Sequence, residues 1–301
     1  MNIRLSALRN VQFQHQPSIM PFPPSEKTFF GAYRSTVQLH SSIYRWIRNI
    51  HTYSKGVSLT MRDSLSVAPL SRTDPVDALS TALEQHVCIT NPKATVREKV
   101  GDWLFEYNAS SFFQNNNSVL SPLTEYVRDA IFPLTTAAKP LPHPTHLVDA
   151  YCGAGLFSIT LSPYFDHVAG IELSSESIKA AQLNAQLNHI PPSKITFREG
   201  DAGNIFASVK GDFEPSKTVL IIDPPRKGCD DNFINQVLGF RCSTIVYVSC
   251  NVHTQARDVG RLVEGTKGDD EGRRYVIESL RGFDLFPQTA HIEGVAILRL
   301  I

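Results

Sequence analysis

The 301-residue sequence lacks an excess of either charge: 29 basic residues stand against 29 acidic ones, for a formal net charge of zero. A nucleic-acid partner is therefore not announced by charge, and any RNA contact must use a local basic surface or a separate domain. Cysteine is sparse and unpatterned. The five, Cys88, Cys152, Cys229, Cys242 and Cys250, are odd in number and form no CxxC pair. This argues against a disulfide framework and against zinc or another metal centre, and it fits a reducing intracellular compartment, cytoplasm or nucleus. No stretch is long and apolar enough to span a membrane. Acidic residues are almost missing from positions 1–62, where Glu26 stands alone among Arg4, Arg9, Lys27, Arg34, Arg45, Arg48 and Lys55. That composition matches a mitochondrial transit peptide. The Pro-rich stretch around Pro21–Pro24 favours the plainer expectation of an unstructured leader.

What is present falls into three regions. Residues 1–54 read as a poorly ordered leader. Residues 55–118 hold short β-type runs such as VSLTMRD and DWLFEYN between polar breaks, a small β-containing segment. A Rossmann-like α/β domain is expected over 119–301: beyond the Ser/Pro-rich stretch 137–146, strand and helix patterns alternate as in a parallel sheet with helices on both faces. The expected strands are 146–150, 167–172, 194–199, 218–223 and 243–249. A helix is expected over 174–188 with Ser174 or Ser175 as N-cap. The runs RRYVIESLRGFDLF and GVAILRLI should close the sheet. Nothing in the sequence speaks to oligomeric state.

DAYCGAGLFSITL (149–161) follows an apolar strand and opens a helix. Gly153 and Gly155 allow a tight turn and close approach of a ligand. The next strand ends at Glu172, about twenty residues on, where a carboxylate can accept hydrogen bonds from both ribose hydroxyls. The strand after that leads to Asp201, placed to face an adenine edge. A GxG alone is weak evidence; three successive strand ends each carrying a suitable polar group are much more specific. Ser158 breaks the continuation to GxGxxG, so pyrophosphate cradling is weak. S-adenosylmethionine has no pyrophosphate, and the nicotinamide dehydrogenase is left as a minor alternative.

Asp223-Pro224-Pro225-Arg226-Lys227-Gly228 closes the fourth strand, and the prolines stiffen a loop that aims Asp223 and Arg226. At the next strand end VSCN places Cys250 on the same edge. A small buried hydrophobe is the plain reading of a cysteine; it suits the other four better than Cys250. FDLFPQTAHIEG (283–294) gathers Asp284, His291 and Glu293 into one short loop.

FFQNN (112–116), DAYCGAG, IIDPPRKG, VSCN and FPQTAHIE occur in the order seen in the tRNA (uracil-5-)-methyltransferase family, which the sequence resembles from about Lys93 onward. The resemblance implies an S-adenosylmethionine-dependent enzyme that methylates uridine carbon 5 in tRNA or another structured RNA. It also implies Cys250 as nucleophile, Glu293 as base, and Gln114, Tyr151, Glu172 and Asp223 around the donor. Two departures are visible: Val252 stands where the family usually has proline, and the family's longer N-terminal half with its RNA-binding β-barrel has no counterpart here. The chemistry is coherent by itself. A thiolate adding to carbon 6 makes carbon 5 nucleophilic, and a base must later remove the carbon 5 proton. Arg226 is expected to favour the thiolate. Asp223 and Tyr151 suit a cationic donor, and Phe112, Phe113 or Phe286 could support an unstacked base. Other readings are a methyltransferase acting on cytosine carbon 5 or an exocyclic amine, and a silent chain that binds donor or RNA.

Overall fold

The computed structural model describes residues 11–13, 59–66, 85–114, 116–133, 143–200, 211, 213–267, 272–287 and 289–301. They belong to two compact units, one taking the described residues up to Lys99 with Glu106–Asn115, the other Val100–Phe105 with Asn116–Ile301. Of the expected leader, only Val11–Phe13 lies among the described residues.

In the first unit, β1 (Val11–Phe13) pairs parallel with β2 (Leu59–Ser66), which pairs antiparallel with β3 (Gln85–Ile89). β4 (Thr95–Val100) and β5 (Trp103–Asn108) form a separate two-stranded sheet. The buried Arg62 guanidinium donates through Nε to the Ala109 carbonyl at 3.1 Å and also reaches the Ser111 carbonyl. It stands over the Tyr107 ring, which stacks on Phe113 with centroids 4.5 Å apart. These contacts offset part of the cost of burying a cation, whose Nη1 has no hydrogen-bond partner among the described residues.

The second unit carries one helix, α1 (Asn117–Ile131), and then an alternating series. The series runs β6 (His146–Ala150), α2 (Leu156–Leu161), β7 (His167–Glu172), α3 (Ser175–Leu187), β8 (Ile195–Glu199) and β9 (Thr218–Ile222). It continues with α4 (Asp231–Phe240), β10 (Thr244–Ser249), α5 (Val252–Glu264), β11 (Tyr275–Phe283) and β12 (Glu293–Leu300). The seven strands are ordered β11-β12-β10-β9-β6-β7-β8. Every residue of β9 and β10 is buried, as their unbroken apolar runs require of central strands covered on both faces. Ser174 caps α3 by accepting the Ser177 N–H at 3.3 Å.

Strands β6, β7 and β8 step one way and β9, β10 the other. With right-handed crossovers this puts α2 and α3 on one face and α4 and α5 on the opposite face. The direction reverses between β6 and β9, and ligands of such sheets bind at the carboxyl edge of that reversal. β12 runs antiparallel to both β10 and β11, so the sheet is mixed rather than wholly parallel. Only 284–292 separate β11 from β12, and a parallel crossover needs a dozen residues or more.

Candidate active site

Strand register brings the candidate residues to one edge of the second unit. Ala150 pairs with Ile171 on one side and with Ile222 on the other, so Tyr151, Glu172 and Asp223 stand in line as the next residues of three adjacent strands. The Asp223 N–H donates to the Ala150 carbonyl at 3.3 Å, fixing that alignment. One strand further, Tyr247 pairs with Ile222, and Cys250 emerges three residues later. Ser249 pairs with Gly294 across the antiparallel β10–β12 ladder, so Cys250 and Glu293 are facing neighbours.

Local bonds shape the β6–β7 side. Asp149 is buried, and its Oδ2 accepts both the Ser158 N–H (2.9 Å) and the Ser158 hydroxyl (2.5 Å). Its Oδ1 has no hydrogen-bond partner among the described residues. Glu172 accepts the Gly153 N–H at 3.2 Å through Oε2 and the Ser174 N–H at 2.9 Å through Oε1. Tyr151 takes a left-handed backbone (φ 63°), unusual for a residue with a side chain, and its ring packs 5.7 Å from that of Phe233. Gly155 (φ 92°) serves packing more than ligand approach, since a Cβ there would lie 3.1 Å from Ile159 Cδ1 and 3.3 Å from Phe197 Cζ. Gly153 (φ 54°) is the position with open space, nothing standing within 4 Å of a Cβ built on it.

The acidic groups repel one another. Burial, then the charge of Glu172 working against two Ser158 hydrogen bonds, pushes Asp149 up to about 7. Burial followed by the charges of Asp149 and Glu172 takes Asp223 to about 7 as well. Glu293, buried beneath the Cys250 turn, is pushed up to about 9 by burial and by Asp223. A bound cation would offset this mutual repulsion. Clustered carboxyls, an unpaired buried oxygen and an open glycine fit a cationic ligand such as S-adenosylmethionine. Among the described residues no group of His, Cys, Asp and Glu could hold a metal ion.

Cys250 is half-buried at the head of a tight turn. The Ser249 hydroxyl accepts the Asn251 N–H at 3.1 Å and donates to the Asn251 carbonyl at 3.2 Å. Opposing influences act on the thiol. Burial and the charge of Glu293 raise it, and the Arg226 guanidinium, which does hydrogen-bond the sulfur and favours the thiolate, only partly offsets them.

Other calls divide. Gln114 is buried in the first unit, and Asp201 lies outside the described residues. Phe113 is buried in the stack on Tyr107, as core, whereas Phe112 is 64% exposed. Phe286 meets His291 edge-on at 6.1 Å. No sequence pattern singles out Asp149, although DAYCGAG begins with it, and none marks Gln255 or Asp258.

The family tRNA (Uracil-5-)-methyltransferase matches residues 75–300. A tRNA (uracil(54)-C(5))-methyltransferase of Schizosaccharomyces pombe is 43% identical over 82% of this chain and 42% of its own length. That of Saccharomyces cerevisiae is 45% identical over 71% of this chain and 32% of its own. The chain thus spans about two fifths or less of these curated relatives. Among solved structures, Pyrococcus abyssi tRNA (uracil-54, C5)-methyltransferase in complex with S-adenosyl-L-homocysteine superposes with a TM-score of 0.54 at 26% identity, covering 82% of this chain and 52% of that one.

Proposed function

The chain belongs to the tRNA (uracil-5-)-methyltransferase family, and we propose that it methylates carbon 5 of a uridine in tRNA through a covalent adduct to Cys250. The observation that carries this reading is the facing pair Cys250 and Glu293 across the β10–β12 register, one strand from Asp223. A dehydrogenase or an amine methyltransferase would need no such pair.

S-adenosyl-L-methionine, held by Tyr151, Gly153, Glu172 and Asp223, would supply an electrophilic methyl group. Glu172 still has acceptor capacity on both oxygens after its two backbone bonds, enough for two ribose hydroxyls. Asp149 and Asp223 favour the cationic donor by charge.

Cys250 Sγ as thiolate forms a bond to uracil carbon 6, and the ring electron pair moves onto carbon 5 and the carbon 4 oxygen. Carbon 5 is then nucleophilic enough to take the methyl group. The Glu293 carboxylate accepts the carbon 5 proton, the carbon 5–carbon 6 double bond re-forms, and the sulfur leaves as thiolate. A carboxyl held at about 9 is a strong proton acceptor once ionised, and a cation beside Asp223 favours its ionisation. The exposed Arg226 supports the thiolate on both entry and departure.

The test is nucleoside mass spectrometry of tRNA incubated with the full chain and a methyl-labelled donor. Labelled 5-methyluridine is expected, and uridine 54, the target named for the relatives, is the first position to check. Label on cytidine or on an exocyclic amine would overturn the assignment. Absence of product while the donor still binds would replace an enzyme by a donor-binding chain.

A further inference from the structure

Helix α5 starts two residues beyond Cys250, and the stretch 251–258 bonds to the backbone of three other segments. Asn251 Nδ2 and Thr254 Oγ1 both donate to the Arg226 carbonyl, at 3.0 and 3.2 Å. Arg257 Nη2 donates to the carbonyls of Lys227 (3.0 Å) and Cys229 (3.3 Å). Asp258 Oδ2 accepts the Cys229 N–H at 2.8 Å and the Tyr247 hydroxyl at 2.7 Å. Gln255 Nε2 donates to the Tyr247 carbonyl on β10 (2.8 Å) and to the Gly294 carbonyl beside Glu293 on β12 (2.9 Å).

We propose that Asn251, Thr254, Gln255 and Asp258 are positioning residues that set Arg226 and Glu293 around the Cys250 sulfur. Asp258 and Gln255 are 0% and 4% exposed. Burying a carboxylate and an amide is costly unless every bond is made; here Gln255 Nε2 and Asp258 Oδ2 bond to neighbouring segments, while Asp258 Oδ1 accepts from Arg257 Nε of its own helix at 2.8 Å. The partner segments are shaped to receive them. Gly228 has φ 76°, and a Cβ on it would stand 2.5 Å from Asp258 Oδ2; a Cβ on Gly294 would stand 2.4 Å from Gln255 Oε1. The Pro225–Gly228 turn, closed by a 2.8 Å bond from the Gly228 N–H to the Pro225 carbonyl, is thereby fixed at both ends with Arg226 at its crest. Arg226 is the group that counters the burial and the Glu293 charge acting on the thiol. Loosening its carbonyl should therefore weaken thiolate formation before it weakens anything else.

The inference rests on Cys250 being the nucleophile, and its test on the thiol needs neither donor nor RNA. The full chain is alkylated with iodoacetamide across a pH series, and the Cys250 peptide is followed by mass spectrometry. Thr254→Val keeps the side-chain size and removes one bond to Arg226. Asp258→Ala removes the Cys229 anchor, and Asp258→Asn keeps an acceptor there. Thr254→Val and Asp258→Ala should raise the half-alkylation pH by about half a unit, roughly a threefold loss of rate at neutral pH; Asp258→Asn should restore most of it. Gln255→Leu should lower kcat with the KM for donor and tRNA unchanged. A role in fold stability alone would lower Tm and leave the alkylation profile unmoved, and that result would overturn the proposal. Thr254→Val decides the matter if Asp258→Ala does not fold. If the profiles move as expected and no methyl transfer is found, the positioning role stands and the assigned reaction fails.

Discussion

On the β6–β7 side of the sheet edge, Asp149 is held by Ser158 nine residues on, and Glu172 by Ser174 two residues on and by Gly153 nineteen residues before it. On the β10–β12 side, the bonds that fix Arg226 and Glu293 around Cys250 reach across 25, 28 and 39 residues. The donor side is thus a chain of strand-end turns, each tied to itself or to the adjacent turn. The nucleophile side is assembled by one helix from three segments. A locally built half should tolerate damage to its neighbour, whereas a half assembled from afar should lose its chemistry when any of its segments shifts.

The sharpest way to break this comparison is Cys250→Ala. Turnover should fall to background while calorimetry finds donor affinity unchanged, because among the described residues none on the β6–β7 side hydrogen-bonds to Cys250. A joint loss of both would mean the halves are not separable. Glu172→Ala should do the reverse, weakening donor binding by about 10- to 100-fold as charged hydrogen bonds are removed, with the pH profile of Cys250 alkylation left in place.

A smaller effect concerns stability. Glu293 is raised in the folded state from 4.5 to about 9, so the unfolded chain ionises it first as pH rises. Its contribution to stability is complete below about 4.5 and is lost progressively up to about 9. Glu293→Gln should accordingly be more stable than wild type near pH 8, by about 1 kcal/mol or a shift of roughly 2–4 °C, and no more stable near pH 4. Equal Tm values at both pH values would show that Glu293 is not buried as an acid.

The same contrast explains what could be read from the sequence. Strand ends and Gly-containing turns are local, so the line Tyr151, Glu172, Asp223 followed from the alternation of apolar runs and helical stretches. Strands expected at 146–150 and 167–172 are those observed, and the others end within a residue. Cys250 and Glu293 could be placed at the same edge, but their facing register depends on β12 running antiparallel, which only the short 284–292 connection dictates. Gln255 and Asp258 had no local signal, since a Gln and an Asp in a helix pattern read as solvated surface until the glycines opposite them are located. The net direction of the Cys250 shift has no local signal either: Arg226 stands in the motif, while the burial that outweighs it comes from the packed sheet edge.

The central claim is that Cys250 bonds to the uracil ring and Glu293 releases it. Its most direct test is a denaturing gel of Glu293→Gln mixed with radiolabelled tRNA and S-adenosylmethionine, beside wild type and Cys250→Ala. Addition and methyl transfer precede the Glu293 step, so the Glu293→Gln protein should accumulate a covalent, methylated RNA adduct, with turnover reduced by about 10²–10⁴-fold. Wild type should show little adduct and Cys250→Ala none. Methylated uridine made by Cys250→Ala, or no adduct at all with Glu293→Gln, would contradict the account.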